Sequence, residues 1–206
     1  MSRRLRDLDV AVLESLPEPC RSCLFWEVAD APRGAAPQGR QAKEAWVQAT
    51  QLEWGPPGLA CYVDDRLVGF GVFAPPTHLR RARQLSHAVS QDALLLATLW
   101  VAPEARHTGL ARLLLQALLR ETHQRGGRAL EAYGVRAGDP LATCILTERF
   151  LLANGFAVLY DDPRLPLLRL DLRQTARWQE SLSRALEAVL GRLSRRRAPA
   201  PVRTPS

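Results

Sequence analysis

Residues 94–119 read LLLATLWVAPEARHTGLARLLLQALL. An apolar run ends at Ala102-Pro103, a short charged turn follows, and Gly109 opens a leucine-rich stretch. The pattern predicts a strand over 93–101 and a helix from about Gly109 to Gln124, closed by Gly126-Gly127. Leu110, Leu113, Leu114 and Leu118 recur at spacings of three and four, giving the helix one apolar face that seats it on a sheet. Amides at a helix N-terminus have no intrahelical acceptor and carry the positive end of the helix dipole. The loop R-H-T-G-L-A at 106–111 therefore suits a phosphate or pyrophosphate. Gly109 lets the backbone turn without a Cβ clash, and the small Ala111 allows close approach. Arg106 and His107 add donors, and Arg112 can point back over the anion. Neither G-x-x-x-x-G-K-[ST] nor G-x-G-x-x-G occurs, which removes support for a nucleotide triphosphatase or a Rossmann dinucleotide site. The same geometry could also serve as a plain helix cap without a ligand.

Upstream of this stretch, Leu59–Val63 and Leu67–Phe73 read as a β-hairpin around Asp64-Asp65. Gly69 and Gly71 lie on one face of its second strand, where a ligand or another backbone could approach closely. Pro75-Pro76 ends that strand, and residues 77–91 form a long polar loop holding His78 and His87. Arg40 to Trp54 predicts a helix with Ala42, Trp46 and Thr50 in one line and Val47 and Trp54 close to the same face. Residues 3–10 suit an edge strand, and Val10 to Leu16 about two helical turns that Pro17 stops. Downstream, Arg128 to Val135 is a short strand with Leu130, Ala132 and Gly134 on one face. Asp139-Pro140 offers an N-cap and a first-turn proline for a helix running to Ala153, stopped at Asn154-Gly155. Phe156–Tyr160 and Leu165–Leu172 are two further strands. Trp178, Leu182, Leu186, Val189 and Leu193 mark one stripe of a terminal helix, and the remainder, RRRAPAPVRTPS, reads as a disordered tail. No repeat is visible. The expected organisation is one domain over 1–173, an amphipathic helix over 174–197 and a tail over 198–206.

The 206 residues suffice for one good core, and 47% apolar content excludes wholesale disorder. No apolar run is long enough to span a membrane and the N-terminus is not a signal peptide, so a cytoplasmic location is expected. The net charge of +7 is uneven: from Gln174 onward seven arginines and two glutamates give +5, leaving +2 for the rest. No nucleic-acid-binding motif accompanies that basic end. Cys20 and Cys23 form a C-x-x-C pair, and Cys61 and Cys144 complete the four cysteines. A single pair is a weak zinc signal, and the turn sequence Leu16-Pro17-Glu18-Pro19 before it does not suit a thioredoxin-like site. Two partly buried thiols beside Phe25 and Trp26 is the plainer reading, and no metal is expected.

The central stretch resembles the acetyl-CoA motif of the GCN5-related N-acetyltransferase superfamily, [QR]-x-x-G-x-[GA]. Arg106, Gly109 and Ala111 match its three fixed positions. The downstream FLLANGF (Phe150 to Phe156) resembles the family's F-Y-x-x-x-G-F element, and the order of hairpin, central strand and final strands also fits. The resemblance covers roughly Arg4 to Leu172. It implies an α/β (α+β) three-layer fold, a mixed central sheet flanked by helices, here with an additional C-terminal helix. It also implies direct transfer of an acetyl group from acetyl-CoA to a primary amine in a ternary complex. The amides of His107, Thr108, Gly109, Leu110 and Ala111 would hold the CoA pyrophosphate, with Arg106 and Arg112 beside them. A strand amide at Trp100–Val101 would stabilise the thioester oxygen as it becomes negative.

The family's proton donor is where this chain departs. The tyrosine that often follows the phenylalanine of the terminal element is Leu151 here. The position often held by asparagine falls at Cys144, which could lie near the CoA sulphur; Tyr133 is a second donor candidate. The central strand carries no glutamate, only Thr98 within it and Asp92 before it. Candidate bases are Glu27, Glu53 and His78, with Glu27 first because C-x-x-C-x-F-W-E sets an acid among bulky apolar groups. Trp26, Trp46 and Trp54 beside Glu27 and Glu53 would favour a cationic acceptor: a free amine, a protein N-terminus or an aminoglycoside-like molecule. The terminal helix would pack on its own domain or on a second copy. Two other classes stay open: a non-catalytic acyl-CoA-binding or regulatory module, and a zinc-stabilised nucleic-acid-binding protein built on Cys20, Cys23 and the basic tail.

Overall fold

The computed structural model describes residues 3–32, 34–136, 139, 141 and 144–172. In chain order its elements are β1 (Arg3–Asp7), α1 (Val10–Leu13), α2 (Gly39–Glu53), β2 (Gly58–Val63), β3 (Arg66–Ala74), β4 (Ala93–Val101), α3 (Leu110–Gln124), β5 (Ala129–Val135), β6 (Leu146–Thr147), α4 (Glu148–Ala153), β7 (Ala157–Tyr160) and β8 (Leu167–Asp171). The strands form one mixed sheet in the order β1-β2-β3-β4-β5-β8-β7, with β6 pairing β5 off this path. Only β4–β5 and β5–β6 are parallel among these pairs. The β2–β3 hairpin turns on Asp64 and Asp65, both at positive φ, the combination that matches the twist of paired strands.

Side-chain alternation divides the core between two faces of the sheet. One face gathers Leu13, Trp26, Val47, Phe70, Val72 and Tyr133 under α1, α2 and the segment that joins them. The other gathers Phe73, Leu96, Leu118, Leu130, Leu151 and Leu168 under α3 and α4. Helices on both faces of a mixed sheet give the expected three layers. Gly69 and Gly71 lie against α3: a Cβ at Gly69 would stand 2.8 Å from Leu114 Cδ1, and one at Gly71 would stand 2.6 Å from Leu118 Cδ1. The body that approaches these glycines is thus the leucine face of α3 rather than a ligand.

Three local expectations are corrected. The buried line of α2 is Gly39, Lys43, Val47 and Thr50, not Ala42, Trp46 and Thr50. The helix is rotated because Lys43 finds polar partners inside, donating to the Cys23 carbonyl at 2.8 Å and pairing with Glu27. Among the described residues, the helix predicted from Asp139-Pro140 starts at Glu148, where the Thr147 hydroxyl accepts from the Phe150 amide at 3.3 Å. Asp139 caps only a local turn, accepting from the Leu141 amide at 2.7 Å. Leu146 and Thr147 then pair with Gly134 and Val135, because sheet pairing outcompetes helix propagation at a strand edge with unmet hydrogen-bonding groups. Leu13, not Leu16, ends α1. Among the described residues no helix is long and apolar enough to cross a membrane. The terminal helix of 174–197 and the tail of 198–206 lie outside the described residues.

Candidate functional site

The sheet opens beside the central loop. β4 and β5 pair only through Ala93↔Ala129, Leu94↔Leu130 and Leu95↔Glu131. Beyond Leu95, β4 continues along β3 to Val101, and β5 continues along β8. The two strands therefore diverge into a wedge whose apex is Leu95 and Glu131. A charged cluster holds the apex. The buried Glu131 accepts from the Ser90 amide at 2.9 Å and pairs with Arg169 at 2.8 Å, while Arg169 also reaches Asp92 at 2.9 Å and Asp171 at 2.9 Å. The Arg169 hydrogen bond holds the Asp92 carboxyl below the usual carboxylate range, and the acids together raise the guanidinium.

β4 turns specific amides into this wedge. The Ala102 amide donates to Val68 at 2.9 Å, and the carbonyls of Thr98 and Trp100 also face β3. Alternation sends the amides of Leu99 and Val101 to the opposite edge. The Val101 carbonyl confirms that direction by accepting from Arg106 Nε at 3.3 Å. A register shift between Val72 and Phe73 leaves Ala97 as the extra residue on β4. Such a bulge re-aims the side chains that follow: Leu99 joins the α3 face, while Thr98 and Trp100 turn to the other.

The loop at the open end is built from its own backbone. Pro103–Ala105 make one tight turn, after which His107 at φ 60 and Gly109 at φ 91 reverse the chain within three residues. Gly109 is the left-handed N-cap of α3, and its carbonyl accepts from Leu113 at 3.1 Å. Thr108 is buried with its hydroxyl donating to the Ala105 carbonyl at 2.6 Å, so it stiffens the loop through its side chain. Arg106, His107, Gly109 and Arg112 are exposed. The first-turn amides of a fifteen-residue helix thus face out at the mouth of the wedge, a ready anion site.

On the face opposite α3, beside the bulge, lies a small pocket. Thr98 forms part of it, with Phe70 and Val72 of β3, Leu13 of α1 and Trp26 from the α1–α2 segment. Its charged groups are Glu27 and Lys43, which form a buried ion pair. Cys20, Cys23 and Cys144 also line it. The Cys23 thiol is hydrogen-bonded to that of Cys144, which with burial pushes Cys23 up; burial also raises Cys20. The Trp26 indole donates to the Cys144 carbonyl at 3.0 Å, tying the 144–145 turn over the pocket.

Comparison with known proteins decides the family. Residues 21–143 match the model of the acetyltransferase (GNAT) family. The chain belongs to that family. No curated protein matches the sequence. Among solved structures, the GNAT fold is similar to an N-acetyltransferase from Staphylococcus aureus Mu50, at 19% identity and a TM-score of 0.55 over 84% of this chain and 99% of that one. It is similar to yncA from Salmonella typhimurium, crystallised with acetyl-CoA, at 17% identity and a TM-score of 0.53 over 85% and 97% of the two chains. A third is the PaiA N-acetyltransferase from Thermoplasma acidophilum in complex with coenzyme A, at 18% identity and a TM-score of 0.51 over 83% and 99%.

The GNAT site residues named from sequence fall into three groups. Val101, Arg106, His107, Thr108, Gly109, Leu110, Ala111 and Arg112 share the mouth of the wedge. Trp100 does not aim its amide there; its half-buried ring stacks on Phe70 at 5.7 Å. Glu27, Cys144, Cys20 and Cys23 meet in the pocket. The remaining candidates stand elsewhere. Glu53 is 69% exposed and pairs with His78 Nδ1 at 3.7 Å at the far end of α2. Tyr133 is buried, stacks on Trp26 at 6.0 Å and donates its hydroxyl to the His87 carbonyl; burial pushes it up to about 12. Trp54 packs on Phe73 at 5.5 Å under Arg125, and Trp46 donates to the His78 carbonyl at 2.8 Å with Lys43 Nζ 5.6 Å from its ring; of the three, only Trp26 lines the pocket. Leu151 is buried in the α3–α4 core. Among the described residues no group of three or more His, Cys, Asp or Glu is arranged to hold a metal ion.

Sequence reading missed Lys43 as a site residue. The signal was there: it is the sole lysine in a chain with 28 basic residues, one turn before Val47 on a helix that buries this line.

Proposed function

We propose that the protein is an acetyl-CoA-dependent N-acetyltransferase acting on a primary amine. The observation that carries this reading is the wedge: an anion-ready helix terminus at its mouth and two unpaired-edge amides, Leu99 and Val101, along one wall. The amides of 107–111 would hold the CoA pyrophosphate, with Arg106 and Arg112 beside it. The pantetheine arm would run into the wedge, as an extended chain can bond to the free edge of a strand. The thioester oxygen would then meet the Val101 amide, a donor fixed before reaction begins. This moves the oxyanion role from the Trp100–Val101 pair to Val101, with Leu99 next along the same edge. Acetyl-CoA is the acyl donor here, and no metal takes part in the proposed steps.

Glu27 is the proposed base. Among the described residues it is the one acid that lines the pocket, which Thr98 of β4 also lines. An ammonium acceptor gives one proton to Glu27, and the freed lone pair attacks the acetyl carbonyl. The N–C bond forms as the C–S bond breaks. The second nitrogen proton passes to solvent as the amide forms, and the CoA thiolate is protonated by Cys144 or by solvent. Positioning and the preorganised amide supply most of the acceleration; the base contributes about 10²–10⁴-fold. On sequence pattern, residues 1–173 form the catalytic unit and 174–197 an appended amphipathic segment that packs on it or on a second copy.

A second reading is favoured by Leu151 and Tyr133. With leucine in the core and the tyrosine hydroxyl bound to a carbonyl, the chain could be a module that binds acyl-CoA without transfer. Calorimetric titration with acetyl-CoA, followed by assay of free thiol with an amine panel, separates the two. Binding with amine-dependent thiol release supports the transferase. Binding with no release above hydrolysis supports the module, and absence of binding removes both.

A further inference from the structure

The pocket has one buried polar atom that the fold leaves unused. Glu27 is 5% exposed; one carboxylate oxygen, Oε1, bonds Lys43, while Oε2 is buried without a partner. Folded proteins rarely leave a buried carboxylate oxygen unpaired, because its lost hydration is not returned. Lys43 is fixed from behind by the Cys23 carbonyl at 2.8 Å, so the ion pair holds the carboxylate in one orientation and leaves Oε2 for whatever enters.

The entrant must also match the walls. Around the ion pair stand Leu8, Leu13, Leu16, Phe25 and Phe70, and the remaining polar group on β4 is Thr98. Glu27 Oε2 can meet one ligand nitrogen, and among the described residues the pocket lining holds no other carboxylate. A second positive charge on a ligand would lose its hydration against aliphatic and aromatic walls with no counter-charge to meet it.

Resting on the transferase reading above, we infer that this pocket selects a small primary monoamine on a compact apolar body, its nitrogen bonded to Glu27 Oε2. Lys43 is a positioning residue: it turns Oε2 toward the acceptor and lowers the cost of keeping the carboxylate charged. Polyamines and aminoglycoside-like acceptors are disfavoured by their extra charges.

The test uses the full chain with acetyl-CoA and three amines: phenethylamine, isoamylamine and spermidine. We expect kcat/KM for the two apolar monoamines to exceed that for spermidine by at least about 100-fold. In Lys43→Met, kcat/KM for phenethylamine should fall at least about tenfold while acetyl-CoA affinity holds. Lys43→Arg, which restores a cation, should recover part of that loss. Methionine keeps nearly the volume of lysine, so a packing role alone would leave kcat/KM near the wild-type value, and an unchanged kcat/KM in Lys43→Met overturns the role of Lys43. If Lys43→Met does not fold, thermal shift of the wild type decides: stabilisation by phenethylamine and not by spermidine supports the inference, and the reverse overturns it. Turnover of spermidine in preference to the monoamines overturns the inference and leaves the transferase standing. No acetyl-CoA binding by the wild type overturns both.

Discussion

The donor edge and the acceptor pocket share β4 and are made in opposite ways. The donor edge comes from one contiguous stretch, 94–119, in which strand, loop and helix follow each other and the functional groups are backbone amides. The pocket draws Leu13, Trp26, Glu27, Lys43, Phe70, Thr98 and Cys144 from six separate segments, and its functional groups are side chains. A site made of amides depends on backbone path, which glycines and helix periodicity encode locally. A site made of side chains depends on how distant segments pack. The first tolerates exchange of its exposed side chains; the second fails when one member of a buried pair is removed.

That difference is broken most visibly at Lys43. Lys43→Met should destabilise the fold by about 3–5 kcal/mol, because the buried Glu27 would lose its ion-pair partner. Glu27→Leu combined with Lys43→Met should recover most of the loss, since no unpaired charge remains. Urea unfolding of the three proteins checks this. A single variant as stable as the wild type would mean that the ion pair is not formed in solution.

At the donor edge the largest effect should come from Gly109→Asp. A carboxylate at the left-handed N-cap sits where an anionic ligand would, and a non-glycine residue at φ 91 carries backbone strain. Acetyl-CoA affinity should fall about 100-fold, equivalent to about 2.7 kcal/mol, by calorimetric titration. The pocket should not notice: the stability gap between single and double variants at Glu27 and Lys43 should be the same in the Gly109→Asp background. Unchanged acetyl-CoA affinity in a folded variant would remove the loop assignment.

Gly71→Ala tests the contact that lets the donor helix lie flat. Its Cβ would meet Leu118 Cδ1 at 2.6 Å and Leu99 Cδ1 at 3.1 Å. Overpacking of this kind costs about 1–3 kcal/mol. The far ends of two leucines can shift, so the lower half of that range is expected. Chemical denaturation measures it, and a gain in stability would show that α3 has room to move away.

The same contrast explains what the sequence could disclose. Gly109, the leucine face of α3 and the arginine at 106 carry local signals, and the structure places them together. Gly69 and Gly71 were visible as a site of close approach, but the approaching body, α3, is more than forty residues away in sequence. The helix expected from Asp139-Pro140 failed for a related reason. Its start signals are real, yet Leu146 and Thr147 pair with the end of β5, an edge that exists only because β4 has diverged. The line Ala42–Trp46–Thr50 and the line Lys43–Val47–Thr50 both satisfy helical spacing. The choice between them was made by the Cys23 carbonyl and Glu27, partners that periodicity cannot see. Leu151 was read from alignment to a motif, and its burial accounts for the departure: the side chain is core.

The smallest effect should appear where the two regions are joined. Asp92, Glu131 and Arg169 hold the apex from which β4 and β5 diverge. The Asp92 carboxyl is 41% exposed, so solvent screens its pairing, and Asp92→Asn should cost under about 1 kcal/mol at neutral pH. The sign with pH follows from the lowered folded-state value. The carboxylate's contribution is complete above the ordinary aspartate range, near pH 4, and disappears as pH falls through the folded value. Wild type and Asp92→Asn should therefore differ at pH 7 and converge in acid. If the apex only ties the sheet together, acetyl-CoA affinity and amine kcat/KM should both stay within about twofold, because Glu131 and Asp171 still hold Arg169. A loss confined to acetyl-CoA affinity would show that the wedge angle belongs to the donor edge alone, whereas a loss in both would show that the two regions are less independent than their separate construction implies.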